Sequence, residues 1–436
     1  MAFREVRIGD YFRFSKGLGY LGKYLESSNV GLIGLNSFEA GGGYKFGGEK
    51  PYSGPYKEQH RAHPGDLFIA TTDITQDGRV LGSPFLLPYD ISDYESFIFS
   101  GDIVKGEPIT QEFTAEYLFN ILRVKNVREK IAYASTGTTV RRVPLDVVEN
   151  VWVSIPTPAI QRIICLILSS IDEKIRVNQQ ITSTLEQIAQ TIFKSWFVDF
   201  DPVHAKARGE QPLGMHAQTA ALFPDSFEEC ELGPIPCGWK TGNISELGRI
   251  ATGKTPSTKV DDYWNGDVPF VTIPDLHKGS LVIEAARYLT HKGTESQKSQ
   301  NIPSGSTMVS CIATAGLVGF AVNSCQTNQQ INSIIPRDFE SREWVFNCML
   351  NLRPILRNES SIGTVFANLS KSGFSQIRII MPPKQLMFAY SELIRTFIEL
   401  ATQREIETKT LISLRDSLLP RLISGELEIP AELLEA

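Results

Sequence analysis

The sequence predicts an α+β chain of two similar domains, with a two-helix antiparallel coiled coil of pseudo-two-fold symmetry between them. Three observations lead there. Residues 135–156 (STGTTVRRVPLDVVENVWVSIP) align without a gap on residues 361–382 (SIGTVFANLSKSGFSQIRIIMP), at an offset of 226. Each copy runs through a proline-marked exit into a long heptad-patterned stretch. Each is also preceded by short β-rich runs separated by turn residues.

Composition narrows the class before any element is placed. The chain has 436 residues, 42% hydrophobic and 21% charged, so its domains can bury real cores and global disorder is excluded. The net charge of -6 excludes a uniformly basic nucleic-acid binder, so any such contact must come from local patches. Six cysteines occur without a C-x-x-C pair, which reads as free thiols. A metal site built on Cys230 or Cys237 with His204 or His216 is the minor alternative, and no metal is expected. The opening MAFREVRIGD has no apolar signal core, and no window resembles a membrane span. A cytoplasmic protein with no membrane contact is expected.

The first domain is expected over residues 1–157. NVGLIGL, GDLFIATTDI and SFIFSGDIV read as strands, and EYLFNILR reads as a helix. Between them, EAGGGYKFGGEKPYSGPYKEQHR is Gly-rich with interleaved aromatic and basic residues, and reads as a long surface loop. Such loops suit base contacts, because glycine lets backbone approach DNA while Tyr, Gln and Arg reach base edges.

The first spacer helix is expected over 158–198. A seven-residue frame places Ile164, Leu168, Ile171, Ile175, Asn178, Thr182, Leu185, Ala189, Ile192 and Trp196 on one seam. Residues 199–237, rich in Pro, Gly and Ala, read as an irregular linker. The second domain is expected over 238–383, with DVPFVTIPDL, STMVSCIATAGLVGFAV and QINSIIP as strand-like runs and EWVFNCMLNLRPILR as a helix. The second spacer helix, 384–427, repeats the frame at Tyr390, Ile394, Phe397, Ala401, Arg404, Thr408, Leu411, Arg415, Leu418 and Leu422, with Gly425 and Pro430 as its stop. Asn178 and Arg404 are polar breaks at matched positions, expected to come close if the helices pair antiparallel.

Charge differs between the domains: residues 1–155 carry -2 and residues 238–381 carry +3. One stretch, Gly248-Arg-Ile-Ala-Thr-Gly253-Lys254-Thr255, matches the P-loop pattern in full. Its context argues against nucleotide binding. No apolar strand precedes it, Pro256 follows at once, and no helical period comes after. SGPY at 53–56 only loosely resembles an amino-methyltransferase motif, lacking its second proline and any cofactor loop upstream. No catalytic residue is assigned.

Several segments carry a family resemblance. They are Phe193-Lys-Ser-Trp-Phe-Val-Asp-Phe-Asp-Pro202, LFPDSFEECELGPIPCGW at 222–239, LRDSLLPRLISGEL at 414–427, TNQQIN at 327–332 and the GKTP turn at 253–256. Through them the chain resembles the specificity subunit of type I restriction–modification enzymes along nearly its whole length. The resemblance implies two target-recognition domains, each binding one half of a split double-stranded DNA sequence, in a chain without catalysis or a cofactor of its own. It also implies two modification subunits, which supply S-adenosylmethionine and methylate adenine, and restriction subunits that use ATP and Mg.

For the first half-site the expected DNA contacts are Tyr44, Lys45, Tyr52, Tyr56, Lys57, Gln59, Thr138, Arg141 and Arg142. For the second they are Lys254, Thr255, Ser257, Lys259, Thr314, Asn328 and Gln329. The polar, turn-rich setting of these residues motivates the choice. The spacer and partner-docking residues are expected among Ile171, Ile175, Asn178, Leu185, Ile192, Trp196, Phe397, Arg404, Leu411, Leu418 and Leu422.

Overall fold

A computed structural model describes residues 3–73, 78–91, 94–137, 140–359 and 369–430. The chain divides into two compact units: residues through Ile175 together with Thr410 onward, and Arg176–Lys409. Each unit holds part of both long helices, which span Pro158–Phe197 and Lys384–Ser424. Their first residues lie 226 positions apart, as the repeat predicts.

In the first unit the main sheet runs Phe12–Lys16, Ile103–Pro108, Leu67–Ala70, Pro84–Leu86, all antiparallel. Leu67–Ala70 is an interior strand buried along its whole length, which is why it reads as an unbroken apolar run. Phe12–Lys16 lies at the edge and alternates buried and open positions. A second sheet is built on a parallel pair, Val30–Ile33 and Ser96–Phe99. Arg4–Arg7 and Trp152–Ile155 close the unit as an antiparallel pair. Helix Ala115–Arg123 is capped by Thr114, whose Oγ1 accepts the Tyr117 N–H. Its apolar face packs with Ile160, Ile164 and Leu168 of the first long helix and Leu419, Leu422 and Ile423 of the second.

The second unit repeats the plan. Its main sheet runs Gly248–Thr252, Ile331–Pro336, Thr307–Ser310, Val318–Ala321, Leu281–Val282. The parallel pair is Trp264–Val271 with Gln326–Thr327, and the closing pair is Lys240–Asn243 with Arg378–Met381. Helix Arg342–Asn351 stands where Ala115–Arg123 stands in the first unit. Within this unit Asn178 hydrogen-bonds Glu407, and the Tyr390 hydroxyl donates to the Ala189 carbonyl at 2.9 Å. Numbering rises on one helix as it falls on the other, so the helices pair antiparallel.

One expectation is corrected. Residues 199–237 are not an irregular linker. They form helices Asp201–Ala207 and Ala217–Ala220 and a hairpin of Phe227–Cys230 with Gly233–Pro236. Phe200, Val203, Phe223, Ile235 and, just beyond, Trp239 bury in the second unit's core against Phe197. Apolar anchors set among prolines and glycines hold the segment down without periodicity.

Among the described residues no helix is long and apolar enough to cross a membrane, and no group of three His, Cys, Asp or Glu side chains could hold a metal ion. His204 packs on the Phe227 ring at 4.6 Å.

Candidate nucleic-acid interface

The P-loop-like stretch resolves into sheet. Gly248–Thr252 is a strand, and between it and the next strand, Trp264–Val271, there is no α-helix, just one 3-10 turn at Asp261–Tyr263. The Gly253 N–H donates to the Ile331 carbonyl at 3.0 Å and the Lys254 N–H to the Thr327 carbonyl at 2.9 Å. Donors that would cradle a phosphate are therefore already engaged. Gly253 is required for another reason: a Cβ there would sit 2.1 Å from the Asn328 carbonyl oxygen.

That close seat gathers a polar rim. Thr255 Oγ1 donates to Gln329 Oε1 at 2.9 Å. Asn328 Nδ2 donates to Gln330 Oε1 at 2.9 Å, and the Cys311 N–H donates to the Gln330 carbonyl at 2.9 Å. The last bond brings the loop carrying exposed Thr314 to the same rim. Beneath it lies a buried network: Asn332 accepts from Thr252 Oγ1 at 2.7 Å and donates to Cys311 Sγ at 3.2 Å. Burial pushes the Cys311 thiol up to about 11, so it stays neutral there. Lys254, Ser257, Lys259 and Gln329 are exposed, and neither lysine has an acidic partner among the described residues. The structure thus joins Lys254, Thr255, Asn328 and Gln329 directly. Ser257 and Lys259 lie further along the same loop.

The first unit has the same seat. A Cβ on Gly17 would sit 2.3 Å from the carbonyl oxygens of Phe99 and Ser100, and the Leu18 N–H donates to the Phe99 carbonyl at 2.8 Å. Beside it lies a groove of about 270 Å³ lined by Lys16, Thr71, Thr72, Thr136 and Arg142. Lys16 and Arg142 are exposed and have no acidic partner among the described residues.

The Gly-rich loop needs correction. Tyr52 is 2% exposed and forms a small core with Leu32 and Ile98, so it is not available to a ligand. Its hydroxyl donates to the Pro55 carbonyl at 3.3 Å. Tyr44 packs on Phe85 at 5.1 Å, with its hydroxyl on Glu49. Tyr56 is half-buried under the Arg61 guanidinium. Arg141 donates to Ser135 Oγ at 2.8 Å and to the Ala132 carbonyl at 3.2 Å, so its head ties its own loop together. Lys45, Lys57 and Gln59 remain exposed. Thr138 lies outside the described residues, as do Gly363 and Thr364 of the second repeat copy.

On the long helices, Ile175, Asn178, Trp196 and Leu422 are buried, while Ile171, Leu185, Ile192, Phe397, Arg404, Leu411 and Leu418 are partly buried. The buried ones are seam residues and cannot also dock partners. The apolar side chains left in solvent are others: Leu166, Ile188, Leu393, Leu400, Ile406 and Leu414. Sequence reasoning missed these, together with Lys16 and a stacked Trp264–Arg287 pair. Only Lys16 left a signal, standing before Gly17 as Thr252 stands before Gly253.

Two units that share a sheet plan, each bearing polar side chains beside cations without acidic partners among the described residues, define a duplicated recognition protein. The model of the type I restriction–modification DNA specificity domain matches residues 57–187 and 236–408. The chain is 35% identical over 378 residues to the HindI specificity subunit of Haemophilus influenzae, covering 77% of this chain and 82% of that one. It is 23% identical over 325 residues to the MjaIX specificity subunit of Methanocaldococcus jannaschii, covering 72% and 69%. The crystal structure of a type I S subunit from M. genitalium shares the fold, with a TM-score of 0.61 at 12% identity over 97% of this chain and 96% of that one. The chain belongs to the type I restriction–modification specificity family, and its two units are DNA target-recognition domains.

Proposed function

We propose that this chain is the non-catalytic reader of a bipartite double-stranded DNA target, with one half-site per unit. The duplicated seat carries the reading: Gly17 on Phe99–Ser100 and Gly253 on Thr327–Asn328, each beside cations without acidic partners among the described residues. Phosphate contacts from Lys16, Arg142, Lys254 and Lys259 would position each domain, and nearby amides and hydroxyls would read base edges. Linking two weak readers in one chain raises affinity through effective concentration and demands a set spacing.

The helices dock two copies of a modification subunit, which brings S-adenosylmethionine and methylates adenine. Restriction subunits with ATP and Mg join that core in the cytoplasm. Ile188 and Leu414 support two identical partners. They are 40% and 46% exposed and stand 226 positions apart, so each helix offers an apolar side chain at the matched place.

Sequencing methylated adenines in a host that carries this system tests the reading. One split motif with a fixed spacer is expected. An assembled complex with no salt-dependent DNA affinity would instead make the chain a coiled-coil adaptor.

A further inference from the structure

The second unit holds an arginine on an aromatic platform. The Arg287 guanidinium lies 3.7 Å from the centre of the Trp264 ring. Trp264 is only 9% exposed and meets Phe270 edge-on at 5.3 Å, and the guanidinium also lies 5.9 Å from the centre of the Phe270 ring, so the platform is fixed. Arg287 itself is exposed.

A local irregularity brings the two together. Leu289 is the register partner of both Trp264 and Val268, so strand Trp264–Val271 carries a bulge against Arg287–Leu289. Asn265 takes φ +65° inside it, a conformation that asparagine tolerates. Bulges re-aim side chains, and this one sets the indole diagonally across from Arg287.

The pair is joined to the candidate rim. Trp264 Nε1 donates to the Ser257 carbonyl at 3.2 Å, in the loop that begins with Lys254 and Thr255. A groove of about 390 Å³ opens beside it, lined by Trp264, Arg287, Thr258, Asp261 and Tyr288 among others. Neighbouring acids do not capture the guanidinium. Asp262 pairs with Lys292 at 2.7 Å, and Arg287 has no ion pair among the described residues.

We propose that Arg287, laid on Trp264, reads a guanine edge in the second half-site. The inference rests on the DNA-reading function proposed above. A guanidinium flat on an indole keeps its plane and presents N–H groups at its edge. Two parallel N–H groups match guanine O6 and N7, the commonest specific major-groove contact. Freezing the head beforehand lowers the entropy lost on binding. A phosphate contact has no need of such orientation, and Lys254 and Lys259 already offer it.

The test uses the complex of this chain with the modification subunits of its own system. Methylated-adenine sequencing and DNA binding are compared for wild type, Arg287→Ala and Arg287→Lys. The expected result is a loss of about ten- to hundred-fold on the cognate target. It comes with relaxed choice at one G·C pair of the second half-site and an unaltered first half-site, and the Arg287→Lys variant should not restore that choice. Uniform weakening on every sequence, full rescue by Arg287→Lys, or unchanged specificity in the alanine variant would each overturn the proposal. If Arg287→Ala fails to assemble, Arg287→Lys decides alone. Wild type without sequence-dependent affinity would sink the underlying function instead.

Discussion

Asn178 Nδ2 donates to Glu407 Oε2 at 3.0 Å, and the same oxygen accepts from Arg404 Nη1 at 2.6 Å. The two polar breaks of the heptad frame thus meet on one carboxylate. Asn178 is 0% exposed, so its amide depends on that partner, whereas Arg404 is partly open to water. A polar seam residue fixes register at some cost in stability.

An asymmetry between the two partners follows. Glu407→Leu strands a buried amide and should lower stability by about 1–3 kcal/mol. Asn178→Leu leaves Glu407 with Arg404 and should change it by less than about 1 kcal/mol. The double variant should fall short of the summed effects. Urea unfolding of the four proteins checks this, and additive losses would mean that the layer does not act as a unit.

The long helices were legible because a seven-residue period sustained over several turns survives local noise. The repeat then dated both starts, Pro158 and Lys384, to the same offset. The strands were legible where burial on both faces forces an apolar run, as at Leu67–Ala70. The packed segment after Phe197 was not, because its anchors follow no period. Tyr52 misled for a related reason: a Gly-rich loop still needs an anchor, and composition does not say which aromatic turns inward. Arg287 left no signal at all, since its meaning depends on a bulge in another strand.

Asp275 holds the strand that carries Arg287. Its Oδ2 accepts from the Thr272 N–H at 3.0 Å and hydroxyl at 2.8 Å, and its Oδ1 accepts from the Ala286 N–H at 2.9 Å and Lys278 Nζ at 3.2 Å. Burial alone would raise its pKa, but these bonds outweigh it and hold the carboxyl below its ordinary 3.8. A depressed carboxylate stabilises the fold above its ordinary pKa and loses that contribution as pH falls through the lower folded value. Asp275→Asn should therefore cost about 2 kcal/mol near neutral pH. The gap from wild type should stay constant down to about pH 4 and narrow only below it. Thermal unfolding across pH reads this directly, and a gap that closes as pH rises would have the wrong sign.

Gly253 and Lys254 separate a sheet turn from a nucleotide loop. In a P-loop the glycine shapes a phosphate cradle and the lysine reaches the phosphates, so substituting either removes nucleotide binding. Here Gly253 is wedged against Asn328, and Lys254 points from an exposed turn whose N–H groups are bonded into the sheet. Gly253→Ala forces a Cβ into backbone and should destabilise the second unit by about 1–3 kcal/mol, seen as a lowered Tm. Lys254→Ala should leave stability nearly unchanged and weaken DNA binding alike on all sequences. Its plot of log affinity against log salt should be shallower by about one, the signature of a single lost phosphate contact. ATP affinity of the isolated chain that vanished in Lys254→Ala would contradict both expectations, because the bonded N–H groups of this turn leave no cradle for a phosphate to lose.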